Sequence, residues 1–164
     1  MTSRKTISVW LVMENGENAG KVLLQKRSAN EKNFPNIHQA TWAGKADIID
    51  NKLEDTLDTI KRECLEELGE DFYKNFDFNN LSALACSGCI DGETSWECSN
   101  YFGKINEELL SLAQLHEDAH PNFVFIGMKD EFYPIKSGNN PEKDIVLFND
   151  QYKILKELLN NHGN

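Results

Sequence analysis

The run Arg62-Glu63-Cys64-Leu65-Glu66-Glu67-Leu68-Gly69-Glu70 holds the densest set of chemically capable side chains in this sequence. On a helix, Glu63, Glu66, Glu67 and Glu70 fall on one side, within about a third of the circumference. Like charges three or four residues apart destabilise a helix by roughly 0.2–0.5 kcal/mol per pair. Here the pairs 63/66, 63/67, 66/70 and 67/70 all repel, so a cation is expected to offset them. Carboxylates converging from one rigid element suit a hard divalent ion such as Mg²⁺, which takes oxygen ligands and usually keeps waters and substrate phosphates. The expected chemistry is therefore at a phosphate bond.

A helix must carry this cluster. Asn51 followed by Glu54 is a capping-box pattern, which predicts a helix from near Lys52 to Gly69, the usual type of residue just past a helix end. Leu53, Leu57, Ile60, Cys64 and Leu68 recur at helical spacing, so one face packs while the carboxylates point elsewhere. Upstream, residues 6–13 and 21–27 are β-rich around an Asn15-Gly16 turn and predict a hairpin. Residues 28–40 read as a loop leading to Ala40-Thr41-Trp42-Ala43-Gly44, where Gly44 marks a strand end or a close backbone approach. Downstream, residues 81–89 and 96–105 read as strands about the Asp91-Gly92 turn. Residues 106–116 then read as a helix, 122–128 as a strand and 144–160 as a closing helix.

The chain of 164 residues fits a single domain over residues 1–164, since no composition shift, repeat or low-complexity tract divides it. No apolar run approaches a membrane span, and Met-Thr-Ser-Arg-Lys leads directly into a strand pattern, so a cytoplasmic protein is expected. Lys and Arg number 17 against 27 Asp and Glu, a formal charge of −10, which disfavours duplex nucleic acid as a partner. A small polyanionic substrate would feel the same repulsion, which fits dependence on a metal ion. Cys64, Cys86, Cys89 and Cys98 read as reduced thiols; Cys86-Ser-Gly-Cys89 lacks the second pair of a zinc ribbon.

The stretch from Arg62 to Gly69 resembles the signature of Nudix hydrolases: Gly, five residues, Glu, seven residues, then Arg-Glu-aliphatic-any-Glu-Glu-any-Gly-aliphatic. Glu54 stands at the required distance before Arg62, and Lys21–Ser28 with Trp42-Ala43-Gly44 is similar to the strand and loop that precede the signature. The wider likeness runs over residues 5–135. Nine residues instead of five separate Gly44 from Glu54, Ala43 stands where a second Gly is common, and Glu70 replaces an aliphatic residue. The insertion suggests a longer loop before the helix.

The resemblance implies an α/β (α+β) Nudix fold, a mixed β-sheet sandwiched between α-helices. It also implies hydrolysis of a diphosphate in a nucleoside diphosphate linked to another moiety. Glu63, Glu66 and Glu67 would bind Mg²⁺ or Mn²⁺, Arg62 would orient a carboxylate by charge-assisted hydrogen bonding, and Glu54 would support it. Glu66 or Glu67 is the first choice for general base, with Glu97 and Glu117 as outside candidates. Arg27 and Lys45, the latter beside Gly44, are the expected substrate-binding residues, and the partner is a small-molecule diphosphate. A homodimer is left open. Trp42, Trp96, Tyr101 and Phe102 could stack on a base but read first as core.

Rival readings are a non-catalytic Nudix module that senses a nucleotide-like ligand, and an isoprenyl-diphosphate isomerase suggested by Leu24-Gln-Lys-Arg27 and Pro35. The isomerase would need a catalytic Cys, with Cys86 or Cys89 as candidates. His116-Glu117-Asp118-Ala119-His120 matches the HExxH zinc pattern, but Pro121 follows at once and the site needs a sustained helix and a third ligand.

Overall fold

Alternation along the first strand sets the architecture. The computed structural model describes residues 2–116, 119 and 122–162. In β1 (Thr2–Met13), Ile7, Val9, Leu11 and Met13 enter one buried cluster, while Trp10 and Val12 enter another on the opposite face. A period of two is what a strand buried on both faces requires. The first cluster is completed by α1 (Thr56–Leu68) and α2 (Glu70–Asn75), the second by α4 (Asn149–His162). The sheet is thus sandwiched between helices, as expected.

The remaining strands are β2 (Val22–Lys26), β3 (His38–Gln39), β4 (Trp42–Lys45), β5 (Ile48–Ile49), β6 (Lys52–Leu53), β7 (Ser82–Ala83), β8 (Ser87–Asp91), β9 (Thr94–Ile105), β10 (Val124–Ile126), β11 (Tyr133–Pro134) and β12 (Val146–Leu147); α3 is Glu107–Leu110. The main sheet runs β11-β12-β3-β2-β1-β9-β7, with β10 on β2, β4 on β1 and β8 on β9. It is mixed: β1 runs parallel to β9 from Thr2↔Thr94 to Met13↔Ile105 and antiparallel to β2 and β4. No described helix is long and apolar enough to cross a membrane.

The expected helix of residues 52–69 begins four residues late. Ile48 pairs with Leu53 and Ile49 with Lys52, joined by Asp50-Asn51 at φ 51° and 62°. Two successive left-handed residues make the two-residue hairpin turn that matches strand twist, and Asp and Asn tolerate that region best. Asn51 is therefore a turn residue, and the helix cap is Asp55 in extended backbone. The insertion before the signature is this hairpin. The packed stripe shrinks accordingly to Ile60, Cys64 and Leu68, while Leu53 and Leu57 are exposed.

Three other elements differ from expectation. The strand of 81–89 is broken into β7 and β8. The helix of 106–116 is reduced to α3, because the backbone N–H groups of Gln114 and His116 donate instead to the carbonyls of Leu68 and Glu67 at 2.8 and 3.1 Å. Those carbonyls lie in the last turn of α1, which has no partners of its own for them. Residues 146–147 form β12, so the closing helix starts at Asn149.

Candidate functional site

The carboxylates of α1 are organised by one arginine. Arg62 Nε donates to Glu54 Oε2 at 3.0 Å and Nη2 to Glu54 Oε1 at 2.9 Å, a two-pronged ion pair. Its Nη1 donates to Glu63 Oε1 at 2.9 Å and Glu66 Oε2 at 3.4 Å, and Nη2 also reaches the Lys45 carbonyl at 2.8 Å. Asp47 Oδ2 lies 3.4 Å from Nε. Glu54 accepts two further bonds, from Thr59 Oγ1 at 2.8 Å and Asp47 N at 3.2 Å. The hydrogen bond from Arg62 chiefly holds the Glu54 carboxyl down to about 2, against the opposing effect of burial. The same bond raises the Arg62 guanidinium further above its ordinary value.

Glu67 faces the other way, into the sheet. Its Oε1 accepts from Gln25 Nε2 at 3.1 Å and its Oε2 from the Ala43 N–H at 3.3 Å. Desolvation pushes the Glu67 carboxyl well above the usual carboxylate range, and the charge of Glu63 adds to the rise. Burial likewise raises Glu63, with Arg62 pulling against it. Glu63 and Glu67 are close enough to share a hydrogen bond. Gly44 makes this approach feasible: a Cβ there would overlap the carboxyl end of Glu63. Gly44 accordingly sits against a carboxylate, and its backbone position in β4 serves Glu63.

Glu70 does not belong to the cluster. Gly69, at φ 87°, breaks the helix, and Glu70 opens α2, where it pairs with Lys74 at 2.8 Å. Among the described residues no three acidic, His or Cys side chains are placed together as the ligands of a metal ion; Arg62 draws Glu63 and Glu66 to itself. The donor set nevertheless suits a hard divalent cation. It is all carboxylate oxygen, and two of its members are raised by burial and then by a neighbouring carboxylate, Glu67 by Glu63 and Glu63 by Glu66, an imbalance that a cation among them relieves.

Beside Glu67 opens a cleft of about 150 Å³. Strand alternation explains its floor: Leu23 is in the α1-side cluster, so Gln25 and, just past β2, Arg27 follow on the same face. Gln39 of β3, His116 and Ala119 also line it, with Ala119 in an antiparallel bridge to Arg27. Arg27 Nη2 donates to Asn33 O at 3.0 Å and Glu31 Oε2 at 3.4 Å, whereas its buried Nε has no partner. Arg27 thus joins Glu67 at the cleft. Lys45 is exposed, with its ammonium 5.0 Å from the centre of the Trp96 ring and its carbonyl on Arg62. A larger hollow of about 300 Å³, lined by Phe132, Tyr152 and Lys156, contains none of the α1 carboxylates.

Among the other candidates, Glu97 is exposed on β9, opposite Lys5 in register. Glu117 lies outside the described residues, as do Asp118, His120 and Pro121, so the HExxH string is described only at His116 and Ala119. Trp42 is core, fully buried with Nε1 donating to Ile60 O at 3.0 Å, and Tyr101 packs in the α1-side cluster. Phe102 stacks on His162 of α4. Cys86 and Cys89 are exposed, and Cys89 feels Asp150 of α4, on the sheet face away from α1. Gln25, Asp47, Thr59 and His116 are contributors that the motif does not reveal. Two of them had a signal, Gln25 in the alternation from Leu23 and His116 at the head of the HExxH string.

Comparison of the coordinates with solved structures adds the fold. A NUDIX hydrolase from Alicyclobacillus acidocaldarius superposes with TM-score 0.64 at 15% identity, over 99% of this chain and 94% of that one. The chain has the Nudix fold. A MutT NUDIX hydrolase from Burkholderia pseudomallei matches this Nudix fold with TM-score 0.60 at 17% identity, covering 96% and 99% of the two chains. The NUDIX domain of Shewanella oneidensis NrtR, solved in complex with ADP ribose, matches with TM-score 0.60 at 13% identity, covering 98% and 89%. No family model matches the sequence, and no curated protein does.

Proposed function

We propose that this protein is a Mg²⁺- or Mn²⁺-dependent Nudix-type hydrolase. It would cleave a diphosphate linkage in a nucleoside diphosphate linked to another moiety, in the cytoplasm. The observation that carries the reading is the desolvated Glu67 carboxylate, beside Glu63 and at the edge of a polar cleft that also holds Arg27. A raised carboxyl in a cleft with a named charged neighbour is what a functional site tends to have and a stability-optimised surface does not. Glu63, Glu66 and Glu67 would hold the metal. Bound there, the ion supplies charge neutralisation at the phosphates and a lowered pKa for the attacking water.

The chain's own residues do the positioning. Arg62, fixed by Glu54, Asp47 and the Lys45 carbonyl, sets where Glu63 and Glu66 can stand. Gln25 and the Ala43 N–H hold Glu67 in place. Glu66 or Glu67 accepts the proton of the attacking water, Arg27 and Lys45 meet the substrate's anionic groups, and Gly44 leaves room for Glu63. ADP ribose, named with one structural neighbour, belongs to the proposed substrate class.

The test is phosphate release, with and without an added phosphatase, from nucleoside triphosphates, dinucleoside polyphosphates, sugar nucleotides, ADP-ribose, NADH and coenzyme A at alkaline pH. Turnover of one class that stops on metal chelation is expected. No turnover of any of them by folded protein in Mg²⁺ or Mn²⁺ would overturn the reading.

A further inference from the structure

We propose that the hollow lined by Phe132 and by Tyr152 and Lys156 of α4 is a second ligand site, for a neutral, flat nitrogen heterocycle bearing an amino group, the chemistry of a nucleobase. It shares no lining residue with the cleft beside Glu67, so it stands whether or not the hydrolase reading does. Its volume of about 300 Å³ reaches the small end of the range that ligand pockets occupy.

The apolar walls select a flat ligand. Phe132 and Tyr152 are half-buried and packed against the α4-side cluster, with ring centres 5.3 Å apart and planes tilted by 54°. Rings already fixed in this way lose little freedom when a ligand stacks on them. Leu159 of the same cluster, 3% exposed, adds an aliphatic wall, and Met128 brings an exposed thioether, a group that suits an aromatic edge.

The polar groups of the hollow decide the ligand's charge. Lys156, one turn after Tyr152, holds its ammonium 5.8 Å from the centre of the Tyr152 ring, within cation–π range. A cation therefore already stands at that ring, and a cationic ligand would be repelled from it. Asp130 and Glu131 set two carboxylates against the one ammonium, which disfavours an anion. A neutral heterocycle satisfies both signs: its amino group donates to a carboxylate and its ring nitrogen accepts from Lys156. The Gly127 N–H donates to Asp130 Oδ2 at 2.7 Å and the Tyr133 hydroxyl to Glu131 Oε2 at 2.9 Å. Each bond uses one oxygen, so both carboxylates keep acceptor capacity. Aromatic stacking combined with hydrogen bonds to the base edge is a general means of holding an unpaired nucleobase.

The probe is adenosine, titrated into the full chain in metal chelator while the methionine methyl resonances are followed by NMR. Met128→Leu assigns the Met128 signal, and Met13, buried in the α1-side cluster, is the internal control. The Met128 methyl should shift saturably while Met13 stays still. Tyr152→Leu should raise Kd about tenfold, within the range of a lost base–aromatic stack. Lys156→Met, at an exposed position that folding tolerates, should weaken adenosine severalfold and strengthen binding of benzyltrimethylammonium. Glu67→Gln should bind adenosine as the parent does; loss of binding there would place the nucleoside in the cleft and overturn the assignment. An unshifted Met128 methyl, the parent's Kd in folded Tyr152→Leu or in Lys156→Met, or benzoate or benzyltrimethylammonium binding the parent as tightly as adenosine would overturn it too.

Discussion

Arg62 grips Glu54 with two parallel hydrogen bonds, Nε to Oε2 at 3.0 Å and Nη2 to Oε1 at 2.9 Å, while its third nitrogen holds Glu63. A planar fork can do both at once; an ammonium cannot. Arg62→Lys is therefore expected to lose about 2 kcal/mol of stability, the typical range for charge-assisted bonds, and to release Glu63 and Glu66. Urea unfolding and metal titration of the same variant check both. Unchanged metal affinity in a destabilised variant would confine Arg62 to a structural part.

The Glu54 pair has a pH signature. The carboxyl is held down to about 2 in the fold against an ordinary 4.5. A depressed folded pKa contributes stability that is present above the unfolded value and is lost as pH falls through the folded one. Parent protein should lose stability between about pH 4.5 and pH 2 in part through this group, and Glu54→Gln should show a shallower decline over that window. Parallel curves from denaturant melts at several pH values would show that the pair contributes nothing to acid unfolding.

Glu67 has the opposite sign. Its folded pKa is raised, so its contribution is fully present below the unfolded value of 4.5 and is lost as pH rises through the folded one. Without metal, ionising the buried group as pH rises through that folded value costs stability. Glu67→Gln should then raise Tm in chelator while lowering turnover by roughly a hundredfold to ten-thousandfold, the range for loss of a positioned base. A variant that folds normally and hydrolyses as fast as its parent would remove the proposed mechanism.

What could be read in the sequence follows from what each signal depends on. Arg62 to Gly69 was legible because spacing within one helix fixes relative positions, and residues 6–13 were legible as a strand because burial on both faces makes β1 a β-rich, largely apolar run. The helix start was not. Asn51 and Glu54 fit a capping box, but Asp50-Asn51 is also a turn pair, and only the pairing of Ile48 with Leu53 decides between them. Glu70 misled for the same reason from the other end: helical spacing places it with Glu66 and Glu67 only if the helix continues through Gly69. Residues 114–116 have a helical pattern, yet their N–H groups are captured by carbonyls more than forty positions earlier in the chain, which no local pattern encodes.

The hairpin makes its own prediction. Asn51 sits at φ 62°, where a β-branched residue is strained by roughly 1–2 kcal/mol and glycine is at ease. Asn51→Gly should leave stability and activity near the parent's, while Asn51→Val should lower Tm. Because the hairpin's base supplies Asp47 to both Arg62 and Glu54, Asn51→Val should also weaken catalysis, although it lies on no substrate path. Equal turnover in the two variants, with Tm lowered in one, would show that hairpin strain does not reach Arg62.

Gly44 tests whether close approach is what the site needs from this strand. A methyl group added there would overlap the Glu63 carboxyl, whereas the Gly44 backbone keeps its pairing with Ile7 of β1 in either case. The end of a flexible side chain yields more readily than a sheet, so Gly44→Ala should fold with nearly the parent's Tm while Glu63 turns away from Glu67. Losing one carboxylate from the set should weaken Mg²⁺ binding about tenfold or more, in the range seen when a ligand's supporting contacts are removed. Turnover at limiting Mg²⁺ should fall with it and recover partly as Mg²⁺ is raised. That recovery separates displacement of a ligand from damage to the substrate cleft, which added metal would not repair. A Gly44→Ala variant with the parent's metal affinity would mean that Glu63 either keeps its place beside Glu67 or is not a ligand.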